Sequence, residues 1–187
     1  MKILTISLIF ISLSCTPQAN NDSKDFDELS LLFDSTELPI LFDSSFFVKS
    51  SSIIKTSQSI DSKFFNSIGV QNLLETYEDS PKFVLYPLYK IVGENRIGLF
   101  YLSTLNPKIP FDGTVKEVNL IIYDKQGKVI DNKKVALIDS RFGEEKRIYS
   151  LIDKDLNIFS EHIEIKENLD NGKITRSSQK KSDYVKL

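Results

Sequence analysis

Between Phe83 and Ile138 the chain passes through FVLYPLYKIV, RIGLFYLSTL and TVKEVNLIIYDKQGKVIDNKKVALI, in which Val, Ile, Leu, Phe and Tyr occupy both alternating sets of positions. No other feature limits the fold as much. A strand points successive side chains to opposite faces of its sheet, so a stretch that is apolar at both parities needs cover on both sides. In the first stretch Phe83, Leu85 and Ile91 alternate with Val84, Leu88 and Val92. Pro87 has no amide to give a ladder and marks a bulge or an edge. In the third stretch Val118, Leu120 and Ile122 share a face, and Asp124-Lys125-Gln126-Gly127 turns the chain back on itself. The glycine there supplies the positive φ of a type I turn with a bulge. Asp170-Asn171-Gly172 is a second such turn, joining IFSEHIEIKEN to KITRSSQKKSDYVKL, and no fixed period links the two as a repeat. Composition agrees with sheet: Phe occurs 13 times and Tyr 7 times, while alanine stands only at Ala19 and Ala136.

The N-terminal third is less regular. DFDELSLLF forms a short helix if Phe26, Leu29 and Phe33 find a surface; otherwise Asp25, Asp27 and Glu28, with Asp22 just before them, make it a solvated entry segment. From 38 to 60, the apolar pieces LPILF, FFV and SII alternate with serine-rich breaks and read as short extended pieces and turns. Asp61 or Ser62 then caps a helix over residues 61–78, with Val70, Leu73, Leu74 and Tyr77 on one stripe and Asp79-Ser80-Pro81 as its stop. The expected architecture is one α+β domain, rich in strand, over residues 25–187: an antiparallel meander of six to eight strands covered by the helix at 61–78. A closed β-barrel is the alternative topology.

Ile3 to Leu13 is an almost wholly apolar run behind the single positive side chain of Lys2. As a helix at ~1.5 Å per residue it spans about 16 Å, half of a ~30 Å hydrocarbon core, which suits an export signal and not a permanent membrane helix. Ser12-Leu13-Ser14-Cys15 follows, ending in the only cysteine of the chain. This segment resembles the signal peptide and lipobox of bacterial lipoproteins, with Ser12 where that family usually has leucine. The resemblance implies that residues 1–14 are removed between Ser14 and Cys15, and that Cys15 carries the lipid as a thioether and holds the protein on a bilayer. Thr16, where some bacteria use aspartate for inner-membrane retention, implies outer-membrane sorting. The polar residues 15–24 read as a lipidated flexible tether. In overall layout the chain resembles β-rich lipoproteins of Gram-negative bacteria, a likeness that implies no activity.

Removing residues 1–14 leaves 173 of 187 residues with 23 cationic and 26 anionic side chains, net −3. That balance lacks the basic stripe of a nucleic-acid protein. Catalytic sets are scarce: no GxSxG, HExxH, GxGxxG or P-loop motif occurs, and His162, in an alternating strand, is the sole histidine. Asp153, Asp155, Asn157, Glu161 and Glu164 match the spacing of positions 1, 3, 5, 9 and 12 of an EF-hand loop, but Ile158 stands where such a loop turns on glycine. Glu144-Glu145 and the pair Glu161 and Glu164 are the carboxylates close enough in sequence to consider for acid–base work. Phe83, Tyr86, Tyr89, Phe100 and Tyr101 form an aromatic cluster suited to a core or to a binding surface, with Tyr86, Tyr89 and Tyr101 as the binding candidates. The reading is therefore a non-enzymatic, membrane-tethered binding or interaction module without a cofactor, meeting the bilayer through Cys15 and a protein partner of the envelope. A carrier enclosing an apolar small molecule in a barrel interior comes second, and an envelope enzyme third.

Overall fold

The computed structural model describes residues 20–69, 76–77, 80–106, 113–141, 144–170 and 173–186. Seven long strands follow one another as consecutive antiparallel hairpins: β5 (Phe83–Val92), β6 (Arg96–Leu105), β7 (Thr114–Asp124), β8 (Val129–Arg141), β9 (Glu144–Ile152), β10 (Asn157–Asp170) and β11 (Lys173–Lys186). Two short strands complete the sheet. β1 (Asp34–Ser35) lies parallel to β5, and β2 (Ile40–Phe42) is antiparallel to β9. The sheet of nine strands is open, running from β1 to β11 without closing into a barrel. A separate ladder pairs β3 (Thr76–Tyr77) with β4 (Ser80–Pro81).

Double parity in the strand sequences becomes two cores. Tyr86, Leu88, Phe100, Leu102, Val118, Leu120 and Ile122 face one way, and Leu85, Leu99, Tyr101, Ile121 and Tyr123 face the other. The first face also buries Ile152 and Ile158 from β9 and β10, several strands away in the sheet, so the sheet curls until its far half packs on its near half. Three irregularities supply the bend, at Leu88 in β5 and at Ile130 and Val135 in β8, each an extra residue opposite an uninterrupted partner strand. Where β9 leaves β8, β2 takes the vacated edge and drops Phe42 into the fold, its ring 5.6 Å from Phe100.

Helices cover both faces. α1 (Asn20–Ser30) lays Phe26 and Leu29 on the second face, at 5% and 0% exposure, with Phe33 just beyond the helix beside them. Lys90 Nζ donates to the Ser30 carbonyl at the helix C-terminus, where the helix dipole favours a cation. The acidic stretch is therefore a packed helix and not a solvated entry segment, and the helix begins within the stretch read as tether. α2 (Ser44–Thr56) covers the first face. Asp43 caps it by accepting from Phe46 N at 3.0 Å and Ser45 Oγ at 2.7 Å, bonds that hold its carboxyl below the ordinary range. Serines that read as breaks are accommodated because Phe46, Phe47 and Ser50 turn inward, burial outweighing weak propensity. Lys116 Nζ ties the helix down through Phe47 O, Ser50 Oγ and Ser51 Oγ.

The helix expected over 61–78 is the main correction. Asp61 caps only a 3-10 turn, Ser62–Phe64, and the chain bends on to Gly69 at φ +68. That glycine stops the turn as a helix C-terminal glycine does, after Phe64, Phe65 and Ile68 have been buried together on the second face. Val70, Leu73 and Leu74 lie outside the described residues, and Tyr77 belongs to β3. The turn at Asp124 is as expected. Asp124 Oδ1 accepts from Gln126 N and Lys128 N, with Gly127 at φ +79. Of the second turn, Asn171 and Gly172 lie outside the described residues, although the strands on either side pair from Asp170 and Lys173 to Asn157 and Lys186.

Candidate functional site

Four apolar side chains stand in one rank across four strands on the outer face of the sheet. Leu41 of β2 opposes Leu151 of β9, Leu151 opposes Phe159 of β10, and Phe159 opposes Tyr184 of β11. Their exposures are 56%, 39%, 45% and 53%. With neighbouring strands ~4.8 Å apart, the rank is about 14 Å wide. Phe159 and Tyr184 lie ring to ring, centroids 5.1 Å apart, and the Tyr184 hydroxyl donates to Asn157 Oδ1 at 2.9 Å. A shallow groove of about 590 Å³ runs along the rank, bordered by Glu161, Ser182 and Asp183.

The inward side of the same strands shows why this face is unusual. Ser150 lies at the inward parity of β9 and is 2% exposed, while its neighbour Leu151 faces solvent. Ser150 Oγ donates to the Val135 carbonyl and shares a 2.7 Å hydrogen bond with Ser160 Oγ of β10. A polar residue satisfied inside and a leucine left outside invert the ordinary alternation of a half-buried sheet. Register cannot slip to repair it, because Ile40, Ile152 and Ile158 are locked side by side in the core. Contiguous exposed apolar side chains of this kind mark contact surfaces. β11 ends the sheet, so among the described residues its outer edge has no strand partner.

None of this rank was a candidate from sequence, though IYSLI and NIFSEHI carried the signal: serines at the parity of the core isoleucines. The structure disperses the residues that were. Asp153 spends its carboxylate on the turn between β9 and β10, accepting from Asp155 N, Asn157 N and Asn157 Nδ2, and these bonds lower its pKa. Glu161 and Glu164 point to opposite faces of β10 and pair with Lys180 and Lys146. Among the described residues no three His, Cys, Asp or Glu side chains are placed to hold a metal. Glu144 and Glu145, adjacent in β9, likewise point apart and pair with Lys166 and Arg147. His162 is half-buried within β10, opposite Ile148 and Lys181.

The aromatic cluster divides between the two cores. Tyr86 and Phe100 belong to one and Tyr101 to the other, with Tyr89 packed against the first and Phe83 half-buried. Burial raises the Tyr86 and Tyr101 hydroxyl pKa values. Both faces of 83–105 carry packed side chains, Tyr86, Leu88, Phe100 and Leu102 on one and Leu85, Leu99 and Tyr101 on the other. Ser14 and Cys15 lie outside the described residues, and among those described no helix is long and apolar enough to cross a membrane. Comparison with known proteins finds no matching family model, curated protein or solved structure.

Proposed function

We propose that the protein is a lipid-anchored lipoprotein of the bacterial envelope that acts, without catalysis, by binding a protein partner through the Leu41–Leu151–Phe159–Tyr184 face. The anchor rests on the N-terminal pattern: one lysine, an eleven-residue apolar run and a lone cysteine at position 15. The carrying observation for the interaction is that the exposed apolar rank ends at an edge strand with no strand beyond it among the described residues. A polypeptide answers both features, since an added strand satisfies the free backbone groups of β11 and extends the rank beyond Tyr184.

The reading is tested by placing a photo-crosslinking amino acid at Ser182, inside the groove, and at Lys125, in the β7–β8 turn, in intact cells. The expected result is a discrete adduct from position 182, absent from position 125, that disappears when Phe159→Ser is added. Phe159 is 45% exposed, so that change leaves the fold in place. An adduct indifferent to Phe159→Ser, or none at position 182, would overturn the reading.

A further inference from the structure

A hollow of about 200 Å³, sharing no lining residue with the groove along the apolar rank, opens at the end of the curled sheet. Its floor is Ile91 of β5 with Leu120 and Ile122 of β7, and Leu38 and Leu156 close its sides. Arg96, at the start of β6, and Lys154, in the β9–β10 turn, stand at its mouth. Both cations are exposed, neither is in an ion pair among the described residues, and no acidic side chain lines the hollow. Glu94, two residues before Arg96, and Asp155, next to Lys154, do not line the hollow, and two further neighbouring acids are committed to their own turns. Asp124, opposite Arg96 in the β6–β7 ladder, accepts from the amides of its own turn, and so does Asp153, next to Lys154.

Leu156 supplies a second, independent mark. The β7–β8 and β9–β10 turns share one hydrogen-bond pattern: an aspartate whose Oδ1 accepts from the second and fourth amides beyond it, and whose own amide donates to the carbonyl of that fourth residue. The third residue beyond the aspartate is left-handed in both. In the first turn it is Gly127 at φ +79; in the second it is Leu156 at φ +63. Leucine takes that conformation against its backbone preference, and here its side chain lines the hollow. Gly98 in the floor leaves no spare room, since a Cβ there would come within 2.8 Å of Ile91 Cγ1 and 3.1 Å of Leu120 Cδ1.

We propose that the hollow is a binding site for a small amphipathic carboxylate, its apolar body on Ile91, Ile122 and Leu156 and its carboxylate between Arg96 and Lys154. At ~30 Å³ per small group, the volume admits a body of roughly six or seven heavy atoms, the size of a short acyl chain or one aromatic ring. An apolar enclosure with a few convergent polar groups at its mouth is the general form of a small-molecule site.

The test is a titration of the purified protein, followed by methyl and amide NMR, with hexanoate, hexanol and hexylammonium. Hexanoate is expected to give saturable shifts at Leu156, Ile91 and Ile122, with hexanol weaker and hexylammonium silent. Arg96→Gln and Lys154→Gln are each expected to weaken hexanoate roughly fivefold, the value of one exposed ion pair. Both side chains are solvent-exposed, so an unchanged amide spectrum elsewhere confirms that each variant is folded. Absence of saturable shifts, equal binding of hexanol, or binding of hexylammonium would each overturn the proposal. The outcome at the Leu41–Tyr184 face is read separately by crosslinking, so either assignment can fail alone.

Discussion

Replacing Gly127 with alanine tests whether α1 is truly seated on the β7–β8 turn. A Cβ at this position would lie 2.8 Å from Phe26 Cγ and 2.9 Å from both Phe26 Cβ and Cδ1. Phe26 is 5% exposed and its ring is tilted against Tyr123 with centroids 4.6 Å apart, so it cannot swing away without opening the second core. Two costs add. Holding alanine at φ +79 costs about 1–2 kcal/mol, and overpacking against a fixed ring costs about 1–3 kcal/mol. The sum is about 2–5 kcal/mol, a large share of the ~5–15 kcal/mol that holds a domain together. In a Phe26→Ala background the ring atoms are gone and the helix can yield, so Gly127→Ala there retains only the backbone cost of about 1–2 kcal/mol. The coupling between the two positions is then at least about 1 kcal/mol. Urea unfolding of the four proteins, with equal m-values, measures it. Equal costs for Gly127→Ala in both backgrounds, to within about 0.5 kcal/mol, would refute the reasoning and leave α1 unseated.

Leu29→Ala, at a site with no exposure, is expected to destabilise by about 2–5 kcal/mol in the same assay, whereas a solvated entry segment would lose almost nothing. Burial pushes the Lys116 ammonium below its ordinary 10.5, and its side-chain partners are all neutral. The unfolded chain therefore holds that proton more tightly, so stability rises with pH between the lowered folded value and 10.5. Lys116→Met lacks the titrating group, so the stability of the parent relative to this variant is expected to grow as pH rises toward 10.5; parallel curves would count against it. Cys15→Ser is expected to leave an unprocessed precursor 14 residues longer that takes up no palmitate label, as seen by metabolic labelling and gel mobility.

The strand-rich part of the fold was legible because its signal is local. Apolar residues at both parities around Leu99, Phe100 and Tyr101 require two covered faces, and two cores are found there. The bulge at Pro87 and the turn at Gly127 follow equally from one missing amide and one positive φ. The helices were less legible. In α2 the inward positions are two phenylalanines and a serine, and the serines at 51 and 52 that suggested a break are partners or neighbours of the Lys116 anchor. Nothing in SSFFVKSSSIIKT reveals that a lysine more than sixty residues away will be waiting.

Tyr184 and Leu41 are 143 positions apart, and both look like ordinary strand residues in the sequence. Only the order of β2, β9, β10 and β11 sets them in one rank, and only the placement of Ser150 inward leaves Leu151 outside. Arg96 and Lys154 likewise meet at one hollow because the sheet curls its ends together. The sequence alone determined what depends on near neighbours: strand periodicity, turn chemistry and the pattern of the N-terminal sixteen residues. The tertiary structure decided which faces are covered and which distant side chains share a surface, because those follow from how the strands pair and how far the sheet bends.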